Sequence, residues 1–323
     1  MGRTYLEQLK RFQSVLALGL MVLALALMSD KFFTVENGFN VLRQICANLC
    51  LSVGMTLVIL SGGIDLSVGS ILALSGAVAA GLLKNGVVIQ RADVFIEVTV
   101  PGAILAGLLV GTVLGLFNGL VITRFDLPPF VATLGMLSIA RGLTMLWTGG
   151  FPITRLGDSF GFMGSGVWLG IPMPVWISAA LVALFVFLMK RTRFGRNVYA
   201  VGGNEKAARL SGLNVNRIKL LVYTLGGLLS GVAGLLVTAR LDSATPNAGL
   251  SYELDSIAAV VIGGTSLNGG RGTITGTVLG CLIIGVLNNG LVLLEVSPFW
   301  QQVIKGVVIL VAVAVDKMGV KRS

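Results

Sequence analysis

From residue 14 onward the chain alternates long apolar runs with short polar interruptions, the pattern of membrane-crossing helices. Crossing about 30 Å of hydrocarbon takes roughly 20 helical residues. On that measure the runs predict ten spans, at residues 14–28, 40–60, 66–83, 98–122, 130–147, 174–189, 218–239, 256–262, 273–294 and 299–315. Pro128 and Pro129 stop the fourth from running into the fifth, because proline cannot continue a helix from within. The run 256–262 is too short to cross alone, so it is the end of a short span or a re-entrant piece. Residues 1–13 carry Arg3, Lys10 and Arg11 like the start of a signal peptide, but residues 29–33 offer no small-residue cleavage site. The first run therefore reads as a retained helix. The expected fold is an all-α, polytopic membrane bundle of about ten transmembrane helices with glycine-rich breaks, in one transmembrane domain spanning residues 1–323.

Composition agrees with the pattern. Of 323 residues, 55% are apolar and 12% charged, and the mean hydropathy is +0.91; a soluble domain carries about 25% charged residues. The 44 glycines point to closely packed helices and broken segments. With the N-terminus inside, inner segments hold 16 of the 24 basic residues and outer loops hold 5. The other three, Arg43, Arg141 and Lys305, fall within spans. The positive-inside rule then places both termini in the cytoplasm. Most acids, among them Asp93, Glu253 and Asp255, fall in outer loops. The net charge of +10 is thus a topology signal, and no nucleic-acid partner is implied.

Several chemistries are closed off. The chain has no histidine, so no histidine triad, metal centre or proton relay exists. Cys46, Cys50 and Cys281 all lie in apolar runs, where cysteine serves as a small packing residue. No nucleophile–base pair or metal-ligand cluster appears, so no residue reads as catalytic or metal-binding and the chain is not an enzyme. No carboxylate sits in the middle of a span, which leaves proton coupling without a carrier; sodium coupling through carbonyls stays open. No lysine follows a glycine, so the phosphate loop of ATP-using proteins is missing. Active transport would need energy from a second protein.

The longest inner loop, residues 190–217, is one place for such a protein to dock. Asn204 is a good N-cap, Glu205 suits the positive end of a helix, and Gly212 suits the left-handed position that ends one. Gly202 and Gly203 break the chain just before, and small Ala207 and Ala208 let a partner approach. A basic loop held by anionic lipid is the alternative.

Two glycine-rich breaks, residues 61–70 and 263–272, each begin with a glycine pair and carry hydroxyls. Irregular backbone at membrane depth is tolerated only in protein or beside a wet cavity. Gly62, Gly63, Asp65, Ser67, Gly263, Gly264 and Ser266 are therefore candidates for a pathway or gate. The alternative is a tight turn, with Asp65 or Ser67 capping the third span. Gln44, Asn48, Thr56, Asn118, Asn288 and Asn289 put polar groups inside spans. Of these, Asn48, Asn118, Asn288 and Asn289 would suit an uncharged lining for a polyol, or would bond helix to helix. Arg43 and Lys305 can snorkel from span ends. Arg141 lies deeper and needs a partner or carbonyls.

Four stretches carry a family resemblance: VGMTLVILSGGIDLSVGS (53–70), VYAVGGNEKAARLSGLNVNRIK (198–219), YELDSIAAVVIGGTSLNGGRGTITGT (252–277) and LNNGLVLL (287–294). Over residues 32–316 the chain resembles the permease subunits of bacterial ABC importers for monosaccharides, those for ribose most of all. The resemblance implies a second copy of the permease, an ATP-binding cassette subunit beneath, and a periplasmic sugar-binding protein. ATP and magnesium would sit on the cassette subunit, leaving no cofactor on this chain. It also implies a bacterial cytoplasmic (inner) membrane location and a short cytoplasmic coupling helix at 204–212. Gly203, Asn204, Glu205, Ala207, Ala208 and Gly212 would then be the ATPase-coupling residues. The expected function is inward translocation of ribose or a related monosaccharide by alternating access. An ion-coupled sugar transporter and a passive sugar channel are the alternatives.

Overall fold

A computed structural model describes residues 2–89 and 94–321. Arg91, Asp93 and Arg322, used in the charge balance, lie outside the described residues. Thirteen helices are described: α1 (Gly2–Met28), α2 (Val35–Leu60), α3 (Val68–Asn85), α4 (Val100–Arg124), α5 (Pro129–Thr148), α6 (Asp158–Ser165), α7 (Met173–Arg191), α8 (Arg193–Gly203), α9 (Glu205–Leu210), α10 (Val215–Leu241), α11 (Tyr252–Ile262), α12 (Ile274–Leu293) and α13 (Pro298–Lys321). Seven of them, α2, α3, α4, α5, α7, α10 and α12, are long and apolar enough to cross a membrane. Within α1 and α13 the described apolar stretches, Val15–Met28 and Pro298–Val311, are shorter. Helix α11 has 11 residues, about 16 Å of rise, roughly half a bilayer core. The chain is an all-α polytopic membrane protein, with seven candidate full-length spans among the described residues.

The sequence pattern missed some small elements. Helix α6 and three two-stranded antiparallel ribbons occupy the loops: β1 (Val87–Ile89) with β2 (Val94–Ile96), β3 (Ile153–Thr154) with β6 (Ser243–Ala244), and β4 (Val167–Trp168) with β5 (Ile171–Pro172). At two or three residues a strand is too short for its alternation to register.

Local chemistry sets the helix ends. Thr34, Thr99, Thr273 and Asn214 each turn a side-chain oxygen onto a free amide of the first turn of α2, α4, α12 and α10. Prolines start α4, α5 and α7, where the missing N–H costs nothing.

Helices α2 and α10 form the centre. From Val53 to Leu60 nearly every α2 side chain is buried, as for a helix that is apolar all round. Helix α4 buries a stripe at four-residue spacing, Ala103, Gly107, Gly111, Gly115 and Gly119, and exposes Leu105, Leu109, Val113 and Phe117 on the other side. The stripe lies against α10. A Cβ on Gly111 would run into the Gly227 carbonyl and the Gly231 backbone, so the two main chains touch directly. This is the small-residue packing by which helices associate in lipid.

Candidate functional site

The loop after α7 is a two-helix unit. Helix α8 packs Val198 and Val201 inward. The expected chain break at Gly202 and Gly203 is not present, because both belong to the end of α8. Gly202 is needed for a different reason: a Cβ there would overlap the Leu60 carbonyl at the end of α2. That carbonyl accepts the Gly270 amide at 3.0 Å, and Tyr199 Oη donates to the Gly272 carbonyl at 2.8 Å.

Helix α9 follows at once. Asn204 Oδ1 accepts the Ala207 amide at 3.0 Å, the capping bond its type implied. At the other end Gly212 has φ +83°, its amide donates to the Arg209 carbonyl at 3.1 Å, and the Leu213 amide donates to Ala208 at 3.1 Å. These are the paired bonds of a Schellman ending. Six residues cannot hold a helix in water alone, and α9 is supported from one side. Ala208 is buried, and Glu205 bonds Lys219 Nζ on α10 at 2.8 Å and Arg209 at 3.1 Å. The Lys219 bond, opposed by partial burial and helped by Arg209, holds the Glu205 carboxyl below its ordinary range. The tether therefore stands at neutral pH and is lost only in acid, as pH falls through that lowered value. Lys206, Ala207 and Leu210 face outward, the last 90% exposed. An open cleft of about 600 Å³ beside α9 is lined by Thr123, Asp126, Glu205, Lys206, Arg209 and Asn216.

The segments between α2 and α3 and between α11 and α12 meet at this unit. A Cβ on Gly269 would contact Gly62 and the Gly202 carbonyl, and one on Gly270 would contact Gly203. Three chain segments distant in sequence thus touch through glycine backbone. Within the first segment, Asp65 is fully buried; its Oδ1 accepts the Ser67 amide at 2.8 Å and Ser67 Oγ at 2.6 Å. Asn118 Nδ2 on α4 donates to Ser67 Oγ at 2.9 Å. Ser67 is the N-cap of α3 without a side-chain capping bond, and Asp65 closes a turn on Ser67 itself. The expected capping of the third span by either side chain is thus replaced by a lock on the turn. In the second segment Gly263 lies against Gly276 of α12, Gly264 has φ +87°, and Ser266 bonds Arg271 and Gly269 through its backbone.

The candidate asparagines divide. Asn289 exchanges two bonds with Asn37 of α2, at 2.8 and 3.1 Å, and is helix-to-helix glue. Asn48 accepts from Ser256 Oγ on α11 at 3.1 Å. Asn288 lines a separate cavity with Asn48, and its Oδ1 is buried without a partner. Thr56 meets Thr277 at 2.7 Å. Gln44 lines the same cavity as Asn288.

Two residues depart from their sequence reading. Asp255, expected in an outer loop, lies in the first turn of α11 and is 6% exposed. Lys305, expected to snorkel, bonds Asp255 Oδ2 at 3.0 Å. The buried Asp255 charge is thereby paired with the partly exposed Lys305. Arg43 reaches the Ser165 carbonyl at 3.4 Å. Arg141 finds the carbonyls it needs: its guanidinium donates to Pro246 at 2.6 Å and Ala248 at 2.9 Å, in the non-helical stretch before α11. That stretch has turned away from helical bonding, and Arg141 supplies donors to its free carbonyls. Replacing Arg141 by leucine is expected to lower the melting temperature of the detergent-solubilised chain, because both carbonyls lose a charged donor at a cost of about 1–3 kcal/mol. Arg141→Lys is expected to restore part of the loss. A leucine variant that melts like the parent would mean that the arginine holds nothing.

Among the described residues, no three His, Cys, Asp or Glu side chains group to hold a metal. Cys46, Cys50 and Cys281 are free and buried, and Cys46 accepts from Ser178 Oγ at 3.2 Å.

Comparison with known proteins adds the family. Residues 37–313 match the family model described as branched-chain amino acid transport system / permease component. The chain is 48% identical to the ribose import permease protein RbsC of Escherichia coli K12, over 98% of this chain and 97% of that protein. It is 51% identical to RbsC of Bacillus subtilis 168, over 94% and 91%. It is 40% identical to the D-allose transport system permease protein AlsC of E. coli K12, over 91% and 87%. A match of this extent and identity shows that the chain belongs to the branched-chain amino acid transport system / permease component family, whose members are membrane transport subunits rather than enzymes.

Proposed function

We propose that the chain is the permease subunit of an ABC importer that brings ribose or a related monosaccharide into the cell. Two copies form the pathway in a bacterial cytoplasmic membrane. Both termini are cytoplasmic, α1 and α13 cross, and α11 enters without crossing. An ATP-binding cassette subunit docks on α9, and a periplasmic sugar-binding protein delivers substrate from the other face. ATP closes the cassette pair, α9 moves, and the two permeases rock between inward and outward openings. Gly203, Asn204, Glu205, Ala207, Ala208 and Gly212 form the coupling element, and the two glycine junctions are where its motion enters the bundle.

One observation carries the mechanism. Helix α9 is tied to α10 by Glu205 and Lys219, while the end of α8 touches both junctions through glycine backbone. A push on α9 has a short, stiff route to α2, α10 and α12. The kinship with two ribose permeases supports the substrate class.

The test is radiolabelled D-ribose uptake into proteoliposomes holding this chain alone, or with its cognate cassette subunit and binding protein and ATP. Uptake that needs all components and ATP is expected. Accumulation by the chain alone on an ion gradient would make it a secondary transporter. Nucleotide-free equilibration in both directions would make it a channel.

A further inference from the structure

Helices α2, α11, α12 and α13 enclose a cavity of about 90 Å³ lined by Gln44, Asn48, Asp255, Asn288, Gln301 and Lys305. At ~10–15 Å³ per water in such a measure, it takes several waters, or the hydroxyl-bearing edge of a small ring. Four carboxamides converge here inside an apolar bundle. Their bonds to the protein are incomplete. Asn48 uses its Oδ1 on Ser256, Gln301 uses its Nε2 on the Val296 carbonyl, and the buried Asn288 Oδ1 has no partner. A buried oxygen without a partner is destabilising, and a hydroxyl donor in the cavity relieves that cost.

Charge narrows the ligand. Asp255 and Lys305 bond at 3.0 Å and neutralise one another, so the site carries no net charge to attract an ion. What the side chains still offer is amide N–H and C=O together, plus a carboxylate oxygen. A hydroxyl group, donor and acceptor at once, matches that mixture. The cavity also lies toward the α12–α13 turn, the half of the bundle that the charge bias assigns to the outside.

We propose that this cavity is a binding site for an uncharged polyhydroxyl ligand, holding a monosaccharide by its hydroxyls on entry from the outer face. The choice of sugar as probe rests on the importer reading; the labelling below uses the chain alone and does not.

In Val292→Cys, at a lining position that offers no polar group of its own, a small neutral methanethiosulfonate reagent labels the new thiol, with labelling of the parent's three buried cysteines as baseline. D-ribose is expected to slow that labelling about fourfold at about three times its Kd, because the free fraction falls as 1/(1 + [L]/Kd). Sodium acetate and lysine are expected to leave it unchanged. In the reconstituted importer, Asn288→Leu and Gln301→Leu are each expected to cut D-ribose uptake about tenfold at saturating sugar, with ATP hydrolysis retained. No protection by D-ribose, glycerol or another neutral polyol overturns the proposal, as does protection by acetate or lysine. Protection without ATP-driven uptake by the parent complex keeps the site and overturns the importer reading. Parent uptake with no protection, and with unchanged uptake in both leucine variants, does the reverse.

Discussion

Gly111→Leu is expected to leave no monodisperse folded protein in detergent. The added Cβ alone points into the Gly227 carbonyl and the Gly231 backbone, and the leucine carries three more carbons beyond it. Main chain cannot swing aside as a flexible side chain can, so α4 and α10 must separate along their contact. Overpacking a core that can adjust costs about 1–3 kcal/mol, and this site has nothing that can adjust. Parting the helices also removes the close approach of Gly107, Gly115 and Gly119, which lie on the same stripe. In lipid that packing has no hydrophobic effect between helices to replace it. Gly135→Leu on α5 is the control, because a Cβ there meets nothing within 4 Å. That variant is expected to elute in size exclusion and melt as the parent does. A Gly111→Leu protein that behaves the same way would mean that α4 and α10 are not held by this seam.

The contrast between those glycines shows what a sequence can and cannot carry. Apolar runs disclose which segments enter the membrane, since a helix must be apolar along its length to do so. A glycine does not disclose its neighbour. From sequence Gly202 reads as a break because glycine often breaks helices, yet it is helical and small so that α8 can touch Leu60 of α2. That contact joins segments far apart in the chain. The same limit hid the Asp255–Lys305 pair and the carbonyls of Arg141, whose partners lie 50 and more than 100 residues away. Adjacent Asn288 and Asn289 differ by about 100° around the helix, so one lines a cavity and the other meets Asn37. By contrast the ends of α9 were legible in Asn204 and Gly212, because capping is settled within a few residues. Lys219 was not, though it decides how α9 is held. Its signal was present in retrospect: the one lysine of α10, one turn into the helix and fourteen residues after the only carboxylate of the loop.

Glu205→Lys combined with Ala207→Trp is expected to leave the chain folded and to abolish ATP-driven uptake, while the cassette subunit continues to hydrolyse ATP. The fold survives because the altered groups sit at the edge. Glu205 is 41% exposed and Ala207 faces outward, and exposed ion pairs add little to stability. Coupling does not survive. The lysine at 205 sets three cations together, with Lys219 Nζ and Arg209 where their shared carboxylate had been, so α9 loses its hold on α10. The indole then occupies the small outward patch that Ala207 leaves for a docking partner. Lys219→Met alone is expected to lower uptake in the same direction, because it cuts the tether and leaves the docking face intact. Glu205→Gln is expected to fall between, since the amide oxygen still accepts from Lys219 without the charge. Uptake per ATP hydrolysed is the quantity to measure, because a fold defect lowers both and a coupling defect lowers only their ratio. If the double variant imports ribose at the parent ratio, α9 is not the element through which ATP drives the permease.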